Sequence, residues 1–229
     1  AFETGRFTLP DGSSVGTGER GDLRATIAAV LLDDNALQDP SAAPASFGKV
    51  REPILRFTGW ARGFNETTPD VGDEIFLGEG STLGQLPFSA PSVFNFFRPG
   101  YIAPNSATGA AGLTAPELQL VNESSAIAVI NIMNAFIYDF SDNESEDPDG
   151  GVHPDYAAAV ALAENADNLI AHLDLIFTGN TLSADSKTRI KNVLAEIPVT
   201  TDAREEDITS RLLVAVNMVL SDPAYLVQK

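Results

Sequence analysis

Residues 113–138 decide the fold, and they read LTAPELQLVNESSAIAVINIMNAFIY. The stretch opens with a helix start: Thr114 can serve as the N-cap, Pro116 lies in the first turn, and Glu117 can bond back to the cap. Beyond this start, apolar side chains fall on almost all sides of the helical wheel. A helix that is apolar all round belongs in the middle of a domain. We therefore predict one buried central helix over residues 113–138.

Start and stop signals elsewhere predict about six helices in all, the central helix included. The predicted helices cover residues 22–33, 50–64, 113–138, 155–177, 183–197 and 202–220. Asp22, Ser183 and Asp202 are expected to cap the first, fifth and sixth of them, and Gly179 is expected to end the fourth. Residues 225–227 are expected to fold back on the body. The fold class is therefore mostly α: a single helical domain over residues 1–229, with a long irregular N-terminal arm over 1–21 and loops that include an acidic one at 139–153.

Composition excludes several classes of function. The 229-residue chain is 44% hydrophobic, which is typical of a globular protein, and its net charge is −18. Such a charge argues against nucleic acid and against anionic lipid surfaces, because both need basic residues. The absence of cysteine excludes disulfides and thiolate metal sites, and no apolar run is long enough to predict membrane insertion.

The charges are unevenly distributed. Residues 99–186 contain no Lys or Arg but thirteen Asp or Glu, whereas Lys49, Arg51, Arg56 and Arg62 form a basic cluster upstream. This distribution has two interpretations: a solvated acidic face, or ion pairs between the basic cluster and carboxylates of the acidic middle.

An aromatic segment precedes the central helix, with the sequence LGQLPFSAPSVFNFFRPGY over residues 83–101. Prolines restrict it to a short helix around 92–97. We expect its five aromatic rings to fill the core beside the central helix; the alternative is an exposed aromatic platform for a sugar or another flat ligand. These rings are Phe88, Phe94, Phe96, Phe97 and Tyr101.

Glu123 is the candidate catalytic residue, accompanied by Gln119, Asn122 and Asn134. A carboxylate on a buried helix has a raised pKa or an arginine partner. In the enzymatic interpretation Glu123 is a general acid or base. In the structural interpretation it pairs with Arg51, Arg56 or Arg98 and holds helices in register.

The acidic run after the central helix, DFSDNESEDPDGG over 139–151, is the candidate metal site. It does not fit the EF-hand spacing in any register. A looser calcium site and a self-repelling loop are both compatible with it, and no other cofactor is predicted. The candidate calcium ligands are Asp139, Asp142, Glu144, Asp147 and Asp149.

Several stretches together resemble the C-terminal half of a large bacterial family catalogued as domain of unknown function 1800. The stretches are RGDLRATIAAVLLD at 20–33, GKVREPILRFTGWARGF at 48–64, the aromatic segment at 83–101, GLTAPELQLVNESSAI at 112–127 and the chain end at 219–229. The resemblance implies a fragment of a longer, exported protein that works in the periplasm or outside the cell. It also implies partners, either the N-terminal half of the same protein or a co-exported protein, and it carries over no catalytic residue.

Two functional hypotheses follow. The first is an exported helical module of a larger protein that acts through binding or assembly. The second is an exported hydrolase-like enzyme that uses Glu123 as general acid or base, with further site residues in the N-terminal half. The sequence leaves open whether the protein is an enzyme.

Overall fold

The computed structural model describes residues 1–37, 39, 44, 46–64, 83–138 and 154–229. It is mostly helical, which confirms the predicted fold class. The described residues group into two compact units, Ala1–Phe47 with Lys229 and Gly48–Gln228, and each unit is described by itself. The single domain over 1–229 stays a prediction. Within the described ranges, no helix combines the length and the apolar content needed to cross a bilayer.

The first unit consists of a small hairpin and two helices. Its elements are β1 (Phe7–Thr8), β2 (Ser14–Val15), α1 (Leu23–Leu32) and α2 (Asp34–Leu37). The two strands pair antiparallel, with Phe7 opposite Val15, so the predicted irregular arm contains a hairpin. The apolar side chains of α1 are largely exposed, and Ala25 is the buried residue of this helix.

Asp22 caps α1, as predicted. Its carboxylate accepts hydrogen bonds from the N–H of Thr17 (2.7 Å), the N–H of Ala25 (3.1 Å) and the hydroxyl of Thr17 (2.8 Å). These donors lower the pKa of Asp22 to about 2, because they stabilise the ionised form.

The second unit contains most of the helices. They are α3 (Pro53–Gly63), α4 (Ala107–Ala110), the 3₁₀ helix η1 (Pro116–Leu120), α5 (Glu123–Tyr138), α6 (Ala157–Val160), α7 (Ala166–Thr178), α8 (Ala184–Ala195), α9 (Arg204–Leu220) and α10 (Pro223–Leu226). A short antiparallel pair, β3 (Lys49–Val50) and β4 (Val227–Gln228), joins the chain end to the residues before α3. Tyr225 is fully buried, so the chain end folds back as predicted.

The core of this unit is built around α9, which packs against α5, α6, α7, α8 and α10. Seven of its residues are buried: Arg211, Leu212, Leu213, Ala215, Val216, Val219 and Leu220. The buried guanidinium of Arg211 donates to the carbonyl oxygens of Ala163 (2.9 Å), Leu194 (3.0 Å) and Ile197 (2.8 Å). Because these carbonyls lie at the ends of neighbouring segments, Arg211 fixes α9 against them.

The prediction of one central helix over 113–138 is wrong in two respects. Residues 116–120 form η1, and a new helix begins after Asn122, whose side chain accepts from the N–H of Ser125 while the Ser125 hydroxyl accepts from the N–H of Asn122 (both 2.9 Å). This reciprocal cap separates α5 from η1. In addition, α5 is not buried on all sides: Ile127 is 62% exposed and Ile130 is 54% exposed, so the central position belongs to α9.

The predicted helix over 155–177 is also interrupted. Asn165 accepts hydrogen bonds from the N–H groups of Asp167 and Asn168 and starts α7, so the run divides into α6 and α7. Its predicted end is confirmed, since Gly179 adopts the left-handed conformation with φ 64°. Asp202 does not cap α9, whose N-cap position is Ala203.

The aromatic segment does not fill the core as predicted. No helix forms at 92–97, and the left-handed conformations of Phe88 (φ 62°) and Asn95 (φ 71°) belong to a series of turns. Phe88 and Phe94 are exposed, whereas Phe96, Phe97 and Tyr101 are half-buried. Turns rich in proline cannot align five rings on one face, because they lack a regular period.

Ion pairs connect the acidic middle of the sequence to basic residues on both sides. Lys49 contacts Glu117 at 3.7 Å, which confirms the pairing interpretation for this member of the basic cluster. The downstream pairs are Lys187–Asp174, Lys191–Asp167 and Arg204–Glu164, each at 2.6 Å.

Candidate functional site

A pocket of about 400 Å³ lies in the Gly48–Gln228 unit, between α3, η1, α5, the end of α9 and α10. Most of its lining is apolar. The apolar lining residues are Val50, Pro53, Leu118, Leu120, Val121, Ala126, Val129, Ile130, Met133, Ile137, Leu220, Pro223, Tyr225, Leu226 and Val227. The volume is within the usual range for small-molecule sites.

The pocket has a buried inner wall on α5 and a more exposed mouth formed by Val121, which precedes α5, and Ile130 on α5. Val129, Met133 and Ile137 are buried and form the inner part. Ile130 and Val121 are substantially exposed and also line the pocket, so they mark its opening to solvent. The apolar circumference of α5 therefore serves two surfaces, the protein core and the pocket.

Tyr225 forms part of the wall and is held in place by α3 and its preceding residues. Its hydroxyl donates to the carbonyl oxygen of Arg56, and the guanidinium of Arg51 lies 4.4 Å from the centre of its ring. Burial raises the pKa of Tyr225 to about 12, although the nearby positive charge of Arg51 opposes the shift. This ring is therefore neutral and fixed at physiological pH.

Three polar side chains that line the pocket are satisfied by protein groups. Asn217 donates to Asn134, the hydroxyl of Ser221 donates to Asn217 at 3.4 Å, and the hydroxyl of Ser125 donates to the carbonyl oxygen of Leu120 at 2.7 Å. These bonds join α9 to α5 and η1 to α5.

Arg56 is the charged residue of the lining. It is half-buried, and its Nε donates to the carbonyl oxygen of Arg51 at 3.0 Å. Burial lowers the pKa of its guanidinium, which nevertheless stays a cation because arginine titrates far above neutral pH. Among the described residues, no carboxylate lies within ion-pair distance of it.

A polar cluster adjoins the pocket at Lys49 and Glu117. These residues directly precede the lining residues Val50 and Leu118 in the chain. The Nζ of Lys49 lies 3.7 Å from Glu117 and 3.8 Å from Glu52. Gln85, which is buried, donates to Glu52 and accepts from the N–H of Ile54 at 3.2 Å. This cluster connects η1 and the segment around residue 85 to the start of α3, and so supports the pocket wall.

The candidate catalytic residues have separate hydrogen-bond partners. Gln119 accepts from the N–H of Arg98 at 2.9 Å, Asn122 caps α5, and Asn134 accepts from Asn217. The side chain of Glu123 lies outside the part of the chain that the structure describes, so its role as general acid or base stays a prediction.

The candidate calcium ligands Asp139, Asp142, Glu144, Asp147 and Asp149 also lie outside the described residues. Across the described part of the chain, no group of three or more metal-ligating side chains is arranged to hold an ion. The calcium site stays a prediction.

The sequence indicated Arg56 as one of three alternative ion-pair partners for Glu123, with Arg51 and Arg98, and did not associate it with a pocket. The one available signal was the apolar circumference of α5, which fits either complete burial or a helix that also lines an open cavity. The pocket itself depends on α10 and β4 returning to α3, and no local pattern encodes that contact.

Comparison with known proteins gives a family and nothing finer. The family model described as "Protein of unknown function (DUF1800)" matches residues 14–227. The chain therefore belongs to this family, as its motifs indicate. No curated protein and no solved structure matches the chain significantly.

Proposed function

For this member of a family of unknown function, we propose that the Gly48–Gln228 unit is a binding module that takes a small apolar molecule into its pocket. The observation that carries the proposal is the pocket of about 400 Å³ with its mostly apolar lining. Concave apolar sites of this size with a few polar groups are typical of small-molecule binding.

Exposed apolar side chains at the mouth support binding over a purely structural role. Val121 and Ile130 lie in solvent at the pocket opening, where their exposure costs free energy in the unliganded protein. An apolar ligand that covers these side chains removes both their apolar surface and its own from water, and this burial favours binding. We propose in addition that the module is exported, a proposal supported by the resemblance of its motifs.

The test uses N-phenyl-1-naphthylamine, a neutral apolar dye whose fluorescence rises when it leaves water. Ala126 lines the pocket on the first turn of α5 and is exposed, so Ala126→Phe adds bulk to the pocket without overpacking the core. Ala195→Phe, on the exposed surface of α8 outside the pocket, is the matched control.

We expect the wild type and Ala195→Phe to bind the dye with equal affinity and Ala126→Phe to bind it at least about tenfold more weakly. Circular dichroism would establish that all three proteins have the same helical content. A wild-type protein that leaves the dye unbound, or an Ala126→Phe variant that binds it as well as the control does, would contradict the proposal.

A further inference from the structure

We propose that the ligand of the pocket carries an anionic head group, a carboxylate on an aliphatic chain, and that the guanidinium of Arg56 binds it. This inference rests on the proposed function and adds the chemical class of the ligand. It follows from four observations: the position of Arg56, its hydrogen bonds, its charge balance and the contrast with other arginines.

Arg56 is placed to meet a ligand. It lies on α3, it lines the pocket, and its side chain is half-buried beside the buried ring of Tyr225. Its Nε is bonded to the carbonyl oxygen of Arg51, which fixes the plane of the guanidinium. Among the described residues, its two terminal nitrogens have no acceptor, so both remain available as parallel donors.

The charge of Arg56 is not balanced by the nearby described acids. Glu52 accepts from Gln85 and faces Lys49, and Glu117 also faces Lys49. A cation withdrawn from water without a counter-ion costs free energy, and a ligand anion removes that cost.

Two other arginines of this unit use their guanidinium groups within the protein. Arg51 lies over the ring of Tyr225 and donates to the carbonyl oxygen of Phe177 at 3.3 Å. Arg211 donates to four backbone carbonyls. Both are structural, whereas Arg56 makes one protein hydrogen bond with its guanidinium among the described residues.

The guanidinium of Arg56 and the apolar lining together define the class of ligand. A planar guanidinium with two free terminal nitrogens matches a carboxylate, which can accept both donors at once. The apolar lining matches a hydrocarbon chain. A single-chain aliphatic carboxylate satisfies both requirements in one molecule.

The test compares decanoate with decan-1-ol, which has the same chain length and no charge, as competitors of the bound dye. In the wild type we expect decanoate to bind about tenfold more tightly, the size of effect typical of a charge-assisted hydrogen bond. Arg56→Met removes the charge and keeps much of the apolar stem. This variant should bind decanoate about tenfold more weakly than the wild type does, and its affinity for decan-1-ol should stay within about twofold of the wild-type value.

Arg62→Met, at an exposed position of the same helix outside the pocket lining, is the matched control and should leave both affinities unchanged. If decanoate and decan-1-ol displace the dye equally from the wild type, the inference fails and the proposed function stands. If the wild type does not bind the dye at all, the proposed function fails as well. The wild-type ratio decides the inference even if Arg56→Met does not fold.

Discussion

Asp174, on α7, is a buried carboxylate whose partners lie on α7, in the segment after it and on α8. Its Oδ1 accepts from the N–H of Leu182 at 3.0 Å and from the hydroxyl of Thr178, and its Oδ2 lies 2.6 Å from the Nζ of Lys187. Burial alone would raise the pKa of Asp174, but the hydrogen bonds from Lys187, Thr178 and Leu182 outweigh it and lower the pKa below its usual value of 3.8. The ionised side chain therefore stabilises the junction of α7 and α8.

Asp174→Asn should lower the free energy of unfolding by about 2 kcal/mol at about pH 7, because the variant loses a charge-assisted bond. The folded pKa is lowered, so the contribution of Asp174 is present above its unfolded pKa of about 4 and is lost as the pH falls through the folded pKa. The stability difference between wild type and variant should therefore narrow below about pH 4 in urea denaturation.

Asp167→Asn is the control for this measurement, because Asp167 and its partner Lys191 are both more than half exposed. This substitution should lower the free energy of unfolding by less than about 1 kcal/mol. If the difference in the free energy of unfolding between the wild type and Asp174→Asn widens as the pH falls, the lowered pKa of folded Asp174 is contradicted.

At the scale of elements, two glycines on α3 allow close packing. A Cβ on Gly59 would lie 2.7 Å from the hydroxyl oxygen of Tyr225, and one on Gly63 would overlap the ring of Phe177. Both aromatic residues are buried, and their rings meet edge to face with centres 5.8 Å apart. The glycines therefore set the distance between α3 and its neighbours α7 and α10.

Gly63→Ala should lower the free energy of unfolding by about 1–2 kcal/mol, although alanine is the better helix former. The reason is the overlap with Phe177, so Phe177→Leu combined with Gly63→Ala should cost less than the sum of the single changes. Gly100→Ala, where nothing lies within 4 Å of the added methyl group, is the control in thermal unfolding. Additive losses in the double variant would show that the overlap is not the cause.

The sequence predicted some helix ends correctly but missed two helix starts that lie inside longer predicted helices. The caps Asp22 and Ser183 and the stop at Gly179 are local signals, and the structure confirms them. Asn122 and Asn165 were missed, because each lies inside a run whose apolar period continues across it. A capping side chain bonds to backbone N–H groups and so starts a new helix at its own position. The apolar periodicity of the sequence does not show where this happens.

At the scale of the whole molecule, one of the two interpretations of the charge distribution paired the upstream basic cluster with the acidic middle, and Lys49–Glu117 is such a pair. The pairs with the downstream residues Lys187, Lys191 and Arg204 were not predicted. Ion pairs to Glu117, Glu164, Asp167 and Asp174 connect the acidic middle to flanking basic residues. The pocket was not predictable, because β3 and β4 pair residues near opposite ends of the Gly48–Gln228 unit. Contacts so distant in sequence leave no local periodic signal.

The central claim is that an apolar molecule enters this pocket, and the two methionines of the chain test it most directly. Met133 is buried in the pocket lining, whereas Met218 lies half-buried on α9 outside the lining. In NMR spectra of protein with labelled methionine methyl groups, titration with N-phenyl-1-naphthylamine should shift the Met133 signal to saturation and leave Met218 unchanged. Two unmoved signals, or equal shifts of both, would contradict the claim.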